Sequence, residues 1–219
     1  MGIIGDRVDL ERVVWVGDAE NGQFEVAYLC LTEVDERRHI TVTIAFDVGD
    51  WRAALAQTVS RALAVDTAAA TLRPVYEFFL GWNDHDPARV RAAVADDLVV
   101  HDHRLAGLGL VEGADAYVES LAALWRLAPD IGINVAFELA RECYGVVRAI
   151  GGIGTLPEGG AFERPMVTVQ VVAGGRITRY EAFEIEDAAA ALARFEELRP
   201  ANSKHETRTS KQIQNLKSE

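Results

Sequence analysis

Two hydrophobic periods take turns along this chain. Apolar and polar positions alternate by two in LERVVWVG (10–17), QFEVAYLCLTEV (23–34) and the stretch from His39 to Asp47, which predicts three strands. Asn21-Gly22 between the first two predicts a tight hairpin. Asp50 then precedes an alanine-rich segment as a helix N-cap. Beyond residue 67 the period lengthens. Leu72, Val75, Phe79 and Trp82 fall on one stripe of a helix over 68–83. Asp86-Pro87 starts a second helix, with an acidic cap, proline at the first position and a buried face of Val90, Ala93 and Val94. LVVHDH is a strand, and 114–127 is a third helix aligning Tyr117, Leu121, Leu124 and Trp125. Strands are expected near 131–140, 144–153, 162–173 and 176–185, with Pro157-Glu158-Gly159-Gly160 a turn between the middle ones. Helices followed by an antiparallel meander make an α+β layer.

The pattern also repeats. Residues 39–56 (HITVTIAFDVGDWRAALA) and 176–193 (RITRYEAFEIEDAAAALA) match without a gap at nine of eighteen positions. Each copy runs from strand to helix, with Asp50 or Asp187 as the capping acid. Residues 1–66 therefore read as a partial, C-terminal-half copy (three strands and a helix) of a unit whose complete version occupies 67–200.

Composition narrows the function classes. The 219 residues are 49% hydrophobic, enough for a core without disulfides or metals. A net charge of −12 disfavours nucleic acid and anionic lipid, which require a basic stripe. No apolar run is long enough to cross a bilayer, and MGIIGDRVDLERV carries no secretory signal, so a cytoplasmic location is expected. Cys30 and Cys143 read as buried free thiols. Every lysine (Lys204, Lys211, Lys217) lies beyond residue 200, in a segment lacking aromatics, so 201–219 is expected to be a disordered tail of separate origin.

The order of elements, with WNDHDPARVRAAVADDLVVHDHR, GLGLVEGADAY leading into a helix, and GGRITRYEAF, resembles a SnoaL-like member of the nuclear transport factor two-like superfamily, which includes ketosteroid isomerases and polyketide cyclases. The resemblance spans about 68–199 and implies a cone: a curved antiparallel sheet wrapped by helices around a small-molecule pocket. It also implies that Asp102 stands at the general-base position, since a carboxylate in an apolar cone can move a proton beside a carbonyl. The plainer reading has Asp102 capping its strand and pairing with Arg104. The isomerase's oxyanion-binding tyrosine falls on Phe78 and its second acid near Val167, so both donors are missing. The cyclase acid falls on Ala182, while Tyr180, Ala182 and Glu184 are implied to face the cone.

The candidate site is therefore Asp102 as catalytic base, with Arg104, Tyr180, Trp82, Phe78, Glu184 and His103 contacting ligand. Trp125 is assigned to the core. His101 and His103 have a metal-like spacing but lie on the strand face opposite Asp102, and zinc needs three or four ligands. His39, His85 and His205 lie in a separate half-unit, a loop and the tail, so neither metal nor cofactor is expected. Two functions remain. One is a small hydrophobic-ligand binding domain without catalysis. The other is an isomerase-, cyclase- or dehydratase-like enzyme acting on a polyketide- or steroid-like carbonyl through Asp102. An unclosed half-cone exposes an apolar sheet face, which implies a homodimer or a pseudo-dimer through the partial copy, and aggregation if 1–64 is deleted.

Overall fold

A computed structural model of the chain describes residues 3–4, 6–19, 22–155 and 159–201. Asn21, Pro157, Glu158 and the tail beyond Ala201 lie outside them, so the structure does not address the turn and tail assigned there. The chain divides into two compact units, 1–70 and 71–219.

In the first unit, β1 (Ile3–Ile4), β2 (Val8–Ala19), β3 (Gly22–Val34) and β4 (Ile40–Asp47) form an antiparallel sheet in that order. The sequence predicted three strands; the fourth is two residues long, too short for a period to register. Helix α1 (Trp51–Val65) covers one sheet face, and Leu10, Leu29 and Leu31 are buried there along with Ala54, Leu55, Val59 and Ala62 of the helix. The opposite face carries Trp15, Phe24 and Val26 at 62%, 48% and 52% exposure. Phe24 lies over Gly17, where any Cβ would collide with its ring.

Short α2 (Thr67–Thr71) ends at the boundary between the units, and the second unit opens with α3 (Arg73–Asn83). The expected single helix breaks at Leu72 because Pro74 has no N–H to continue the ladder. Leu72, Val75, Phe79 and Trp82 are nevertheless all buried. In α4 (Pro87–Ala93) the Asp86 side chain accepts from the Arg89 N–H at 3.0 Å. Next come β5 (Val94–Asp102), β6 (Gly109–Glu112), α5 (Ala114–Leu127), β7 (Gly132–Glu142), β8 (Gly145–Thr155), β9 (Ala161–Ala173), β10 (Arg176–Glu184) and α6 (Ala188–Glu197). The six strands order as β6-β5-β10-β9-β8-β7. The sheet is the antiparallel one expected, with one parallel pair, β5 and β10, within it. Their pairing joins segments separated by the whole meander, as a parallel pair requires. Register shifts within β7 and β10 bend the sheet.

The sheet is buried on both faces. Helix α6 lies on the outer one, where Phe195 packs with Val147, Val167, Val169 and Phe183. Helices α3 and α5 cover the inner one, with Phe78 of α3 against Tyr180 of β10. Cys30 is buried, but Cys143, in the β7–β8 turn, is exposed, contrary to expectation.

Segments matched by the sequence repeat share local geometry. Thr41 in β4 and Thr178 in β10 each stand at a register shift. Each hydroxyl donates back across it, to the Glu33 carbonyl at 3.2 Å and the Val171 carbonyl at 3.4 Å. Each strand then enters a 3-10 turn, Val48–Asp50 or Ile185–Asp187, before its helix. That turn overturns the predicted capping: Asp50 (φ −87°, ψ 23°) and Asp187 (φ −91°, ψ 20°) make no side-chain cap bond. Their backbone is not in the extended region from which a capping side chain folds back.

Candidate functional site

Alternation along the central strands sorts the inner face from the outer. Val167, Val169 and Val171 of β9 face α6, so Thr168 and Gln170 between them face inward. Register carries that face across the sheet: Ala182 of β10 stands between Thr168 and Asp102, and Tyr180 beside Gln170. Asp102, the last residue of β5, is thus an inner-face residue at the sheet end.

Asp102 is 6% exposed. Its Oδ1 accepts from Arg104 Nε at 2.8 Å and its Oδ2 from Arg104 Nη2 at 2.7 Å, a bidentate pair. The Leu108 N–H at 3.0 Å and the Arg104 N–H at 3.2 Å add two more donors. Gly107 lies so close that any Cβ would strike the carboxylate. Burial alone would raise the Asp102 pKa, but the Arg104 guanidinium and the Leu108 N–H outweigh it and hold the carboxyl below its usual range. This differs from the raised pKa that an apolar cone implies for a base. Arg104 also donates Nη1 to the Met166 sulfur at 3.2 Å.

Beside this pair stand three rings. Phe78 stacks on Tyr117 of α5 at 6.2 Å between centroids and 6° between planes, and lies 5.7 Å from Tyr180. Tyr117 and Tyr180 are 6.0 Å apart. Burial pushes both phenols well above their ordinary pKa, and the charges of Asp102 and Arg104 are felt at each. The two hydroxyls therefore stay protonated, and among the described residues neither bonds the protein. Two donors thus accompany Phe78, the ring that stands where the resemblance implies a tyrosine. Val167, where the second acid was implied, faces α6.

The remaining predicted residues scatter. Glu184, at the end of β10, accepts from the Leu105 N–H at 3.3 Å and lies 3.8 Å from Arg164, which ties down the loop after Asp102. Trp82 lies one turn beyond Phe78 on α3, buried edge-on to His85 and Trp125. His103 lies on the outer face: its Nε2 is 2.9 Å from Glu181, and its ring stacks on Phe183 at 4.4 Å.

The same outer patch brings together the one potential metal group among the described residues: His101, His103 and Glu181, whose ligand atoms lie within 4.8 Å of one another. Glu181 is the third ligand type that the histidine-only comparison overlooked. Its oxygens already accept from Arg179 at 3.2 Å and Arg194 at 3.1 and 3.2 Å, and two guanidiniums beside it oppose a dication. Burial would raise the Glu181 pKa, but Arg194 and His103 hold it below the usual range. This arrangement suits a structural tie from β10 to α6 better than a metal site.

The site also contains residues absent from the sequence-derived set: Tyr117, assigned only to a helix stripe, and Thr168 and Gln170, which sequence gave no reason to single out. Tyr117 is 3% exposed, Thr168 2% and Gln170 4%, and the Thr168 and Gln170 side chains also bond no described residue.

Residues 75–180 match the SnoaL-like domain family. Similar solved structures include TerC co-crystallised with polyporic acid (18% identity, 57% of this chain and 98% of that one, TM-score 0.47). A Mycobacterium tuberculosis protein in complex with estradiol-17β-hemisuccinate is 14% identical over 53% of this chain and 95% of its own, with a TM-score of 0.46. An NTF2-like protein from Burkholderia pseudomallei is 18% identical over 56% and 95%, also with a TM-score of 0.46. No curated protein matches the chain.

Proposed function

We propose, from the premise that residues 75–180 are a SnoaL-like domain, that this domain binds a small hydrophobic molecule between the inner sheet face and helices α3 and α5, without transforming it. One observation carries the reading. Four buried or half-buried polar side chains, Tyr117, Tyr180, Thr168 and Gln170, share one face with Phe78 and hydrogen-bond no described residue. None of their polar atoms is among the sealed, unpartnered ones of the described residues, and a few polar groups set among aromatic and apolar side chains on one face is the make-up of a ligand site. The phenols would hold a carbonyl or hydroxyl oxygen while Phe78 covers the apolar body.

The alternative, proton abstraction by Asp102 in an isomerase- or cyclase-like reaction, is less well supported. A carboxylate with lowered pKa and four donors on it is a weak base. Asp102 serves better as the group that fixes Arg104.

Native mass spectrometry of the purified chain against its denatured mass tests the binding reading. Extra mass lost on denaturation is the expected result. A clean chain mass, together with no thermal shift from a panel of hydrophobic carbonyl compounds, would overturn it. Turnover of a bound compound, abolished in a folded Asp102→Asn variant, would instead establish the enzyme.

We also infer that residues 1–66 are a partial copy of the 67–200 domain. The matched threonine register shifts, 3-10 turns and following helices support this beyond the sequence identity.

A further inference from the structure

We propose that Arg148 recognises a carboxylate on the ligand. The proposal rests on the binding reading above and adds the charge of the molecule bound.

Arg148 heads the fully buried side chains by volume, at 2% exposure. A guanidinium presents five N–H donors. Among the described residues the protein accepts from Arg148 once, Nη2 to Glu138 Oε1 at 3.3 Å, which is long for a bond between charges. The Nε is sealed from solvent with no acceptor. The Glu138 oxygen is itself shared, since it also accepts from the Tyr76 hydroxyl at 3.1 Å, while Arg141 lies 3.7 Å from the other oxygen. The Tyr76 ring, 4.6 Å below the guanidinium carbon, orients the plane but accepts no in-plane bond. Arg104 differs: it directs Nε, Nη1 and Nη2 to Asp102 and Met166. A buried arginine so poorly matched is costly unless something else completes it.

Its place in the sheet says what could. Register runs a single row across the inner face, Glu138, Arg148, Thr168, Ala182, Asp102. Between Arg148 and the Asp102–Arg104 pair stand only Thr168 and Ala182, both small. With strands about 4.8 Å apart, Arg148 and Asp102 are separated by about 14 Å at their Cα atoms. Both side chains lie on the inner face, and that separation suits a two-ring body carrying a carboxylate. At the Asp102 end the charges cancel bidentately and the phenols offer neutral donors. An anionic oxygen is therefore favoured at the Arg148 end, with Thr168 and Gln170 beside it.

If Arg148 only ties β8 to β7 and α3, replacing it alters stability without altering which ligand charge is preferred. The test uses 2-naphthoate and methyl 2-naphthoate, titrated into the full chain and followed by tryptophan fluorescence. The acid is expected to bind about tenfold or more tightly than the ester. In Arg148→Met that preference disappears; in Arg148→Lys, which lacks the planar fork, it falls several-fold. Equal affinities in the wild type, or an undiminished preference in either folded variant, overturn the proposal. If circular dichroism shows Arg148→Met unfolded, Arg148→Lys and the wild-type ratio decide. Ester binding without acid preference removes the role of Arg148 alone. Binding of neither probe removes the pocket reading with it.

Discussion

At the scale of single residues, the inner face opposes two effects of burial. Desolvation pushes the phenols of Tyr117 and Tyr180 up, so they remain donors at neutral pH. The same desolvation acts on Asp102, yet Arg104 and the Leu108 N–H prevail and keep it charged. The pH dependence follows from the direction of these shifts. Asp102 and Glu181 have folded pKa values below their unfolded ones, so the unfolded chain binds more protons below about pH 4. Their stabilisation is present above the unfolded values and is lost as pH falls through the folded ones. Differential scanning calorimetry between about pH 2 and 7 should show Tm falling on the acid side, with a shallower slope in Asp102→Asn. The phenols act in the opposite range: their folded pKa values are raised, so stability present below about pH 10 is lost as pH rises beyond it. Tyr117→Phe should weaken that alkaline loss in the same experiment; an unchanged alkaline limb would mean that Tyr117 is not the buried titrating group assigned here.

At the scale of elements, the loop after β5 determines whether the site exists. Gly107 packs its bare Cα against the Asp102 carboxylate, so an added methyl must displace the ion pair or the loop. Gly107→Ala is expected to cost about 1–3 kcal/mol in denaturant unfolding and to weaken ligand binding. Gly152→Ala in β8, where the new methyl meets nothing nearer than 3.7 Å, is the control. Equal losses in both would show that the contact at Gly107 is unimportant.

This scale also explains what the sequence could reveal. Strands and helices with sustained periods were legible, because each period records one buried face: the α3 stripe is buried as predicted in spite of the Leu72 break. Strand β6 was not, since GLVE is four residues that open on a glycine and stop at another, and it lies at a sheet edge. The Asp50 and Asp187 caps failed because 3-10 turns, which hydrophobic pattern does not encode, took their place. The Asp102–Arg104 pair was visible as a two-residue spacing at the end of a strand. The Glu138–Arg148–Thr168–Ala182–Asp102 row was not, because it depends on the register of five strands at once.

At the scale of the whole molecule, the two units have different surfaces to manage. The second covers both faces of its sheet with its own helices, α6 on one and α3 with α5 on the other. The first covers one face with α1 and presents Trp15, Phe24 and Val26 on the other. A contiguous apolar face is tolerated only when something occupies it, and association is the ordinary outcome when nothing does. Expressed separately, residues 71–201 should therefore be soluble and sharply folded, which reverses the aggregation expected from sequence on deleting 1–64, because this sheet carries helices on both faces. Residues 3–70 should self-associate in a concentration-dependent way by light scattering. Replacing Trp15 and Phe24 with threonine, which keeps strand propensity and removes the rings, should reduce that association. A monomeric 3–70 fragment at high concentration would show that this sheet face is not an adhesive surface, and would remove the case for assembly through the partial copy.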